Sequence, residues 1–508
     1  FDQPNLAYFY DLNTKITLPL NDKNRLLLSG YFGRDVVAFD NTFTNTYGNS
    51  VVNLRWNRIF SPKVFGNLSL IYSDYYYGLA LDFVGFDWDS GIQNFNVKYD
   101  LSYNISEKIT LETGVQATYY SFNPGYIQPL TPTSGFNIEQ LQNKFAAEGS
   151  VYLSAKHDIS PKLALHYGLR INQFNRLAQS GLLEYANNQP LSYNPSLGIY
   201  QQGTALGFYS KAESKQNYTN LEPRFTLAYR QERSAWKASY QRVNQYLHLI
   251  SNTTSPTPLD VWTPSGRYLK PQQSDQWALG YVTESENGNS LEAEVFYKHT
   301  DNRYDYIDGA ELVANEAIEQ ILLPGTARAY GLELLFKKTQ GKVTGMAGYT
   351  WSRAEQITPG QHPNEPGINQ GDWYRSAYDK THDLSLNLSY NHSKKWKWDA
   401  NAILQTGQPI TYPLGQYEFM GTRVPSFGQR NGQRLPTYHR IDIAATLTPA
   451  KQQDKKIKGS WVFGIYNIYN RRNAATISFK QDPETGKNQA YKLSIFGIIP
   501  SVTYNIRF

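Results

Sequence analysis

The chain has 508 residues, a net charge of +6, 40 tyrosines, 10 tryptophans and no cysteine. Its mean hydropathy is −0.55, and no run approaches the roughly 18 apolar residues that a membrane helix requires. These features exclude helical membrane spans, a disulfide framework and a cysteine metal site, and the small net charge argues against nucleic acid as a partner. No linker rich in Pro, Gly or Ser divides the chain, so we expect a single domain over residues 1–508.

Segments in which polar and apolar residues alternate recur along the chain. The first covers residues 10–18, and the longest, at residues 94–105, interleaves Asn, Lys, Asp and Ser with Phe, Val, Tyr, Leu and Ile. Residues 383–390 repeat the pattern, and residues 440–447 repeat it more loosely. A tilted strand of this kind can cross a bilayer with one face toward lipid and the other toward water. The pattern predicts an all-β fold, an antiparallel transmembrane β-barrel.

Two kinds of connection separate these strands. Short polar segments predict tight hairpin turns at residues 21–24, 61–63, 106–108, 160–162, 232–234, 287–289, 341–342, 393–395 and 451–458. Long irregular segments predict loops at residues 177–215, 251–272, 301–326, 355–375 and 407–435. Outer-membrane barrels place short turns on the periplasmic side and long loops on the exterior, so the division favours that class of protein.

The chain ends on a strictly alternating strand. Residues 501–508 place Val, Tyr, Ile and Phe on one face and Ser, Thr, Asn and Arg on the other. A terminal aromatic residue on such a strand is typical of bacterial outer-membrane barrels, so we predict that Phe508 is the membrane-insertion signal. The cell outer membrane is then the predicted location, with its lipid around the barrel. An edge strand of a soluble sandwich is the alternative for this segment taken alone.

The number of strands is predicted to be odd. Two strands for each short turn and one for the C-terminal segment give about 19. The first and last strands then both run toward the short-turn side, whereas an antiparallel barrel closes only with an even number. We therefore expect an odd number of strands, and a signal peptide, to be missing before Phe1. A mitochondrial-type barrel closes with an odd number, but it lacks loops of this length.

Six segments carry more specific patterns. They read YLKPQQSDQWALG at 268–280, ARAYGLEL at 327–334, DKTHD at 379–383, NGQRLPTYHRID at 431–442, YNIYN at 466–470 and GIIPSVTY at 497–504. Each one alone is weakly specific, but together and in this order they resemble the TonB-dependent outer-membrane transporters, specifically their Bacteroidetes branch. One departure is Gln272, which stands where that family usually has Glu.

The resemblance implies a barrel of about 22 strands whose lumen is filled by an N-terminal plug. About 19 strands in this chain leave three for the missing part, in agreement with the parity argument. The plug and the energy-coupling TonB box are absent from this sequence, so contact with the TonB complex would be made through a plug outside this chain. An adjacent gene for a surface lipoprotein would indicate a lidded importer of oligosaccharides or peptides.

Aromatic residues toward the loop side are the candidate ligand contacts. Where an upward strand leaves the membrane, Tyr75, Tyr76 and Tyr77 are placed to stack on a planar or sugar-like ligand. An interfacial aromatic girdle is the alternative role for this run. Loops carry specificity in such scaffolds, and the candidates there are Trp262, Tyr268, Trp373, Tyr374 and Arg375.

No cofactor, metal site or catalytic site is predicted. The eight histidines show no metal-binding spacing, although His248 and His362 fall in or beside external loops and leave metal or haem binding open. No nucleophile, base and orienting group can be assembled for an outer-membrane enzyme.

The sequence therefore predicts an outer-membrane receptor that actively imports a nutrient ligand, energised through TonB. The substrate cannot be read from the loops, because importers of ferric siderophores, cobalamin, haem, glycans and peptides share this barrel. The alternative is a passive pore, or a structural docking barrel of an outer-membrane complex. A plug and a TonB box encoded upstream would favour the importer over the pore.

Overall fold

The structure, a computed structural model, describes residues 6–39, 43–81, 85–132, 134–135, 137–251, 261–310, 312, 315–449, 458–482 and 488–507. Nineteen strands in these ranges form one sheet, in which each strand pairs antiparallel with the next along the chain. They are β1 (Leu6–Asn21), β2 (Asn24–Phe39), β3 (Phe43–Ser61), β4 (Val64–Leu81), β5 (Phe86–Ser106), β6 (Ile109–Pro129), β7 (Lys144–Asp158), β8 (Leu163–Arg176), β9 (Gln216–Arg230), β10 (Ser234–Gln245), β11 (Gln272–Glu284), β12 (Asn289–Tyr306), β13 (Leu322–Lys338), β14 (Val343–Ile357), β15 (His382–Asn391), β16 (Trp396–Gln405), β17 (Tyr438–Leu447), β18 (Lys458–Tyr466) and β19 (Ile499–Arg507).

This up-and-down order confirms the predicted all-β, antiparallel barrel fold. The strand number agrees with the prediction of about 19. Because that number is odd, β1 and β19 run in the same direction, and the described residues contain no pairing between them.

Short turns follow the odd-numbered strands, as predicted, because the turn sequences supply local hydrogen bonds. In the first turn, Oδ1 of Asn21 accepts a bond from the Lys23 amide at 3.0 Å. Four further turns repeat a Ser-x-Lys pattern, in which the serine oxygen accepts a bond of 3.2 to 3.3 Å from the lysine amide, and these serines are Ser61, Ser106, Ser160 and Ser393. The turn predicted at 451–458 lies almost entirely outside the described residues, between β17 and β18.

The connections after the even-numbered strands from β6 onward are long and carry short elements of their own. The short strands are Glu139–Gln140, Leu183–Tyr185, Leu191–Asn194, Ile199–Gln202, Ala205–Phe208, Leu247–Ile250, Val261–Pro264, Tyr374–Arg375, Pro409–Ile410, Pro413–Phe419, Thr422–Phe427, Gln433–Arg434, Thr476–Gln481 and Asn488–Leu493. Three short 3₁₀ helices are Ala186–Asn188, Ile318–Ile321 and Asn369–Gly371. Across the described ranges, no helix is long and apolar enough to cross a membrane.

Two of the predicted loops begin later in the chain than expected, because the preceding strands are longer. β12 continues to Tyr306 and β13 begins at Leu322, so the loop predicted at 301–326 covers only residues 307–321. β14 continues to Ile357, so the loop predicted at 355–375 starts later and extends to β15. Residues such as Asp301 and Arg303 look like loop residues in the sequence, but they pair with β13 in the extended ladder.

The two faces of the sheet differ in polarity. On β5, Lys98 and Asp100 share one face and form an ion pair of 3.1 Å, whereas Phe95 and Val97 share the other and are 58% and 48% exposed. We call the polar face, against which the loops fold, the inner face, and the aliphatic and aromatic face the outer face. Both assignments follow from strand alternation and confirm the prediction for residues 94–105.

Aromatic rings form a belt across the outer face. On β10, β11 and β12, the rings of Tyr240, Trp277 and Tyr297 follow one another with centroid distances of 5.5 and 6.0 Å. Such a belt is expected where a barrel meets the membrane interface, since Trp and Tyr combine an apolar ring with a polar atom.

Fully buried apolar side chains collect at the loop end of the inner face. Phe174 stacks on Tyr246 with a centroid distance of 4.7 Å, and both pack with Phe122 and Ala146. A second cluster joins the loops after β10 and β12, and consists of Ile250, Leu269, Leu312, Ile318, Ile321 and Leu322. Packing of this kind holds the loops in fixed positions over the barrel mouth.

Candidate functional site

Two cavities lie among the external loops at the barrel mouth. The first, of about 400 Å³, is lined by the end of β12 and by the loops after β10, β14, β16 and β18, and we call it the Asp305 cavity. The second, of about 410 Å³, is lined by the loops after β6, β8, β10 and β12, and we call it the Arg176 cavity. Both volumes are in the range of small-molecule sites.

The Asp305 cavity is built around a buried carboxylate. Asp305 accepts a hydrogen bond from Nη1 of Arg430 at 2.8 Å and another from Nε2 of Gln356 at 2.7 Å. The phenol of Tyr374 also donates to this carboxylate and contacts Gln356 and Thr358. Burial and the charge of Asp305 raise the pKa of Tyr374, so the phenol remains a donor. Residues from β12, β14 and two loops thus form one satisfied polar cluster.

A β-bulge at Asn302 turns the end of β12 into this cavity. The register of β12 against β13 shifts between Asp301 and Arg303, and Asn302 has a φ of 55°. The amide of its side chain donates a 2.8 Å bond to the carbonyl of Pro271, which fixes the bulge. Beyond the bulge, Arg303 and Asp305 line the Asp305 cavity.

The Arg176 cavity contains a buried guanidinium with an unused donor. Arg176 is only 6% exposed, and its Nη2 donates to Oε1 of Gln179. Its Nη1 is buried and has no hydrogen-bond partner among the residues that the structure describes. Nζ of Lys144 lines the same cavity and lies 3.4 Å from Oγ1 of Thr263.

The position of these cations outside the membrane follows from β8. Leu169 and Ile171 are outer-face apolar residues, but the following outer-face positions, Gln173 and Asn175, are polar, so Arg176 lies beyond the apolar band. Burial, together with the charge of Arg176, lowers the pKa of Lys144 to about 8.

His248 is fully buried and already uses both ring nitrogens. Its Nε2 lies 2.9 Å from Oγ of Ser265, and its Nδ1 lies 3.2 Å from Nε2 of Gln272. Burial, with a smaller contribution from Arg303, lowers the pKa of His248 to about 4. His362 contacts Gln189, and the described residues contain no group of three or more His, Asp or Glu side chains that could hold a metal ion.

The three predicted tyrosines of β4 divide between the two faces. Tyr75 and Tyr77 stack with a centroid distance of 6.4 Å on the inner face, where Tyr77 also packs against the buried Trp88. Tyr76 lies on the outer face because side chains alternate along a strand. Tyr72, on the same face as Tyr76, packs on the exposed Phe95 at 4.8 Å, as a girdle residue would.

The predicted loop residues Tyr268 and Trp262 lie in different surroundings. Tyr268 lines the Arg176 cavity and donates a 3.0 Å bond to the carbonyl of Leu183. Trp262 is half-buried in the short strand Val261–Pro264.

In the loop after β14, alternation separates three neighbouring residues. Tyr374 belongs to the Asp305 cluster, whereas the ring of Trp373 lies 4.0 Å from the guanidinium carbon of Arg328. The carbonyl of Arg375 accepts a 2.8 Å bond from Nδ2 of Asn431. Phe508 lies outside the described residues.

The family of this barrel is decided by its sequence. A family model described as "TonB dependent receptor-like, beta-barrel" matches residues 2–468. The chain belongs to this family. Curated protein sequences include no match to the chain.

Solved structures share the fold of this TonB-dependent receptor barrel. The ferric-catecholate import receptor Fiu from E. coli K12, in its closed form, is 12% identical, with a TM-score of 0.65 over 99% of this chain and 75% of Fiu. The siderophore receptor PiuA from Acinetobacter baumannii is 14% identical, with a TM-score of 0.64 over 100% of this chain and 75% of PiuA. The copper transporter OprC is 9% identical, with a TM-score of 0.63 over 99% of this chain and 72% of OprC.

Family membership places this receptor barrel in the outer membrane and in transport, not catalysis. It also implies a ligand and an interaction with TonB. The barrel wall therefore supplies the frame, and the loop-end cavities are the candidate ligand sites of the receptor.

Sequence reasoning missed the charged residues at the centres of both cavities. Asp305 fell inside a predicted loop, and Arg430 lies 125 positions away in the chain. Arg176 ends a strand, and its surroundings come from four separate loops, so no local pattern marked it.

Proposed function

We propose that this TonB-dependent receptor is an active importer of a nutrient ligand in a bacterium of the Bacteroidetes branch. In this proposal residues 1–508 form a single barrel domain, and TonB acts through a plug outside this chain. The observation that carries the proposal is the pair of cavities at the barrel mouth, where buried charged groups from several loops meet. A barrel that served only as a wall would need no such groups, because burying charge is costly.

The solved relatives support import without choosing the ligand. The names of Fiu, PiuA and OprC refer to a ferric catecholate, a siderophore and copper. At 9% to 14% identity these likenesses concern the fold, so the loops of this chain must define its own substrate.

We propose that the ligand contacts aromatic residues at the two cavities and on the inner face. Tyr268 lines the Arg176 cavity, and Tyr374 borders the Asp305 cavity through its bond to Asp305. Tyr75 and Tyr77 offer stacked rings on the inner face. Trp262, Trp373 and Arg375 remain proposed contacts at the rim. Tyr76, which faces outward, remains a proposed contact on the outer side of β4. A surface lipoprotein is a proposed partner that would close over these loops.

Gene deletion and complementation test the importer. A deletion strain should lose growth on the cognate nutrient, and the whole gene product should restore growth only in cells with a functional TonB and a proton-motive force. Restoration without TonB would contradict the proposal. Planar-bilayer conductance distinguishes the importer from a passive pore, because a passive pore conducts ions continuously, whereas a plugged importer does not.

A further inference from the structure

We propose that the Arg176 cavity binds an oxyanion group of a small ligand, either a carboxylate or a phosphate. The inference rests on the proposed import function and names the chemistry of the substrate at one site. Three cationic side chains line this cavity, those of Arg176, Lys144 and Arg267.

The buried guanidinium of Arg176 has an unused hydrogen-bond donor. A buried N–H without a partner is unfavourable, and most such groups in folded proteins are satisfied by protein, water or ligand. Gln179 holds Nη2 of Arg176 and so orients the guanidinium, while Nη1 has no acceptor within the described part of the chain. An oxygen of a bound carboxylate or phosphate would satisfy this donor with a charge-assisted bond.

The described charged groups around the cavity are positive in excess. The guanidinium carbon of Arg267 lies 4.2 Å from the ring centre of Tyr209, which holds it at the cavity wall. Its Nε is also buried, with no hydrogen-bond partner in the described ranges. Within the described ranges, none of the ion pairs includes Arg176, Lys144 or Arg267. Glu316 and Glu319 also line the cavity, so among the described lining residues three positive groups face two negative ones.

The lowered pKa of Lys144 supports the same conclusion. Burial is its main cause, and the positive charge of Arg176 adds to it, while Glu319 and Glu316 act in the opposite direction. An anion between Lys144 and Arg176 would relieve the repulsion between the two cations. Arginine presents planar paired donors and lysine a compact charge, a combination suited to carboxylate and phosphate.

The remaining lining indicates a small organic ligand. Leu141, Leu182, Leu183 and Tyr268 supply apolar surface beside the charged groups. The volume of about 410 Å³ accommodates more than a bare inorganic ion. The site would therefore hold the charged end of a ligand whose carbon skeleton contacts these side chains.

Calorimetric titration of the purified whole receptor tests the proposal. The probes are citrate, glucose 6-phosphate and inorganic phosphate, with neutral glucose as the control, all at constant ionic strength. We expect at least one anionic probe to bind and glucose not to bind. A preference for citrate or for glucose 6-phosphate distinguishes a carboxylate from a phosphate ligand. Wild-type receptor that binds no anionic probe would overturn the proposal.

Variants locate the binding. Arg176→Met should weaken binding about tenfold or more, and Lys144→Gln about three- to tenfold, as expected for loss of charged hydrogen-bond donors. Arg176→Lys should keep more affinity than Arg176→Met because it retains the charge. Arg233→Gln, which removes the same charge from an exposed turn, should bind as the wild type does.

A folding control and a separate growth assay accompany the titrations. Heat-modifiable mobility on gels shows which variants are folded, and folded Arg176→Met that binds the probe with wild-type affinity would overturn the proposal. TonB-dependent growth is measured separately in the deletion strain, so an importer that binds no oxyanion is distinguishable from a protein that imports nothing.

Discussion

Nη1 of Arg430 lies 2.8 Å from Oδ1 of Asp305, and this buried pair ties the loop after β16 to the end of β12. The two side chains are 10% and 9% exposed. Arg430 also donates to the carbonyl of Tyr306 and pairs with Asp308. One guanidinium therefore fixes the geometry of the Asp305 cavity from the side of the loops.

Arg430→Met should destabilise this end of the barrel by about 3 to 5 kcal/mol, because it leaves the carboxylate of Asp305 buried without its cation. Limited proteolysis should cut the loop after β16 faster in the variant, while the strands stay protected. Arg233→Met, which breaks the exposed pair with Glu286, is the control and should cost less than about 1 kcal/mol. Equal protection of the loop in both variants would contradict the assigned role of Arg430.

Tyr374→Phe should cost about 1 to 3 kcal/mol, since it removes a buried hydroxyl that bonds Asp305, Gln356 and Thr358. Urea-induced unfolding in lipid vesicles would measure the loss. Tyr378→Phe in the same loop is a matched control, because Tyr378 is 53% exposed, and it should change stability by no more than about 0.5 kcal/mol.

The stability of the loop end should fall as pH decreases from about 6.5 to 4. His248 has a folded pKa of about 4, below its ordinary value of 6.5, so the fold favours the neutral ring. Its contribution is complete above 6.5 and is lost as the pH falls toward 4, by on the order of 3 kcal/mol. Hydrogen exchange of residues 246–250 and 261–265 should show this loss in the wild type. His248→Gln should reduce the pH dependence, whereas His382→Gln should leave it unchanged.

Neighbouring substitutions on β7 test the two faces. Leu153 lies on the outer face and is 57% exposed, while Ser154 lies on the inner face. Leu153→Arg should cost about 2 to 4 kcal/mol in a lipid bilayer, because it places a charge among lipid chains. Ser154→Arg should cost much less, since the inner face is polar. Similar losses for the two variants, measured by unfolding in vesicles, would show that the faces are wrongly assigned.

The strands and tight turns of the barrel wall could be predicted from the sequence because each depends on residues that are close together in the chain. Alternation in residues 94–105 needs only neighbouring positions, and the Ser-x-Lys turns carry their own hydrogen bonds. The end of β12 was predicted as loop because its polar residues look the same in a loop and in a strand that rises above the membrane. The strand continues to Tyr306 because β13 supplies its ladder partners.

The cavities could not be predicted because they depend on contacts between distant loops. The sequence places Trp373 and Tyr374 side by side in one predicted loop, yet their two side chains lie in different surroundings. No sequence pattern marks Arg176, because its distinctive feature is one nitrogen that has no hydrogen-bond partner among the described residues. Such an absence becomes visible only when all four surrounding loops are in place.

The bulge at Asn302 gives β12 two independent alternation patterns. Below the bulge, the odd-numbered residues of β12 lie on the outer face of the sheet. Above it, the odd-numbered residues Arg303 and Asp305 face the barrel mouth, because the bulge shifts the register by one residue. A single extra residue acts as a phase shift between the two patterns. The segment above the bulge, which lines the Asp305 cavity, can therefore vary without altering the sequence that the membrane requires.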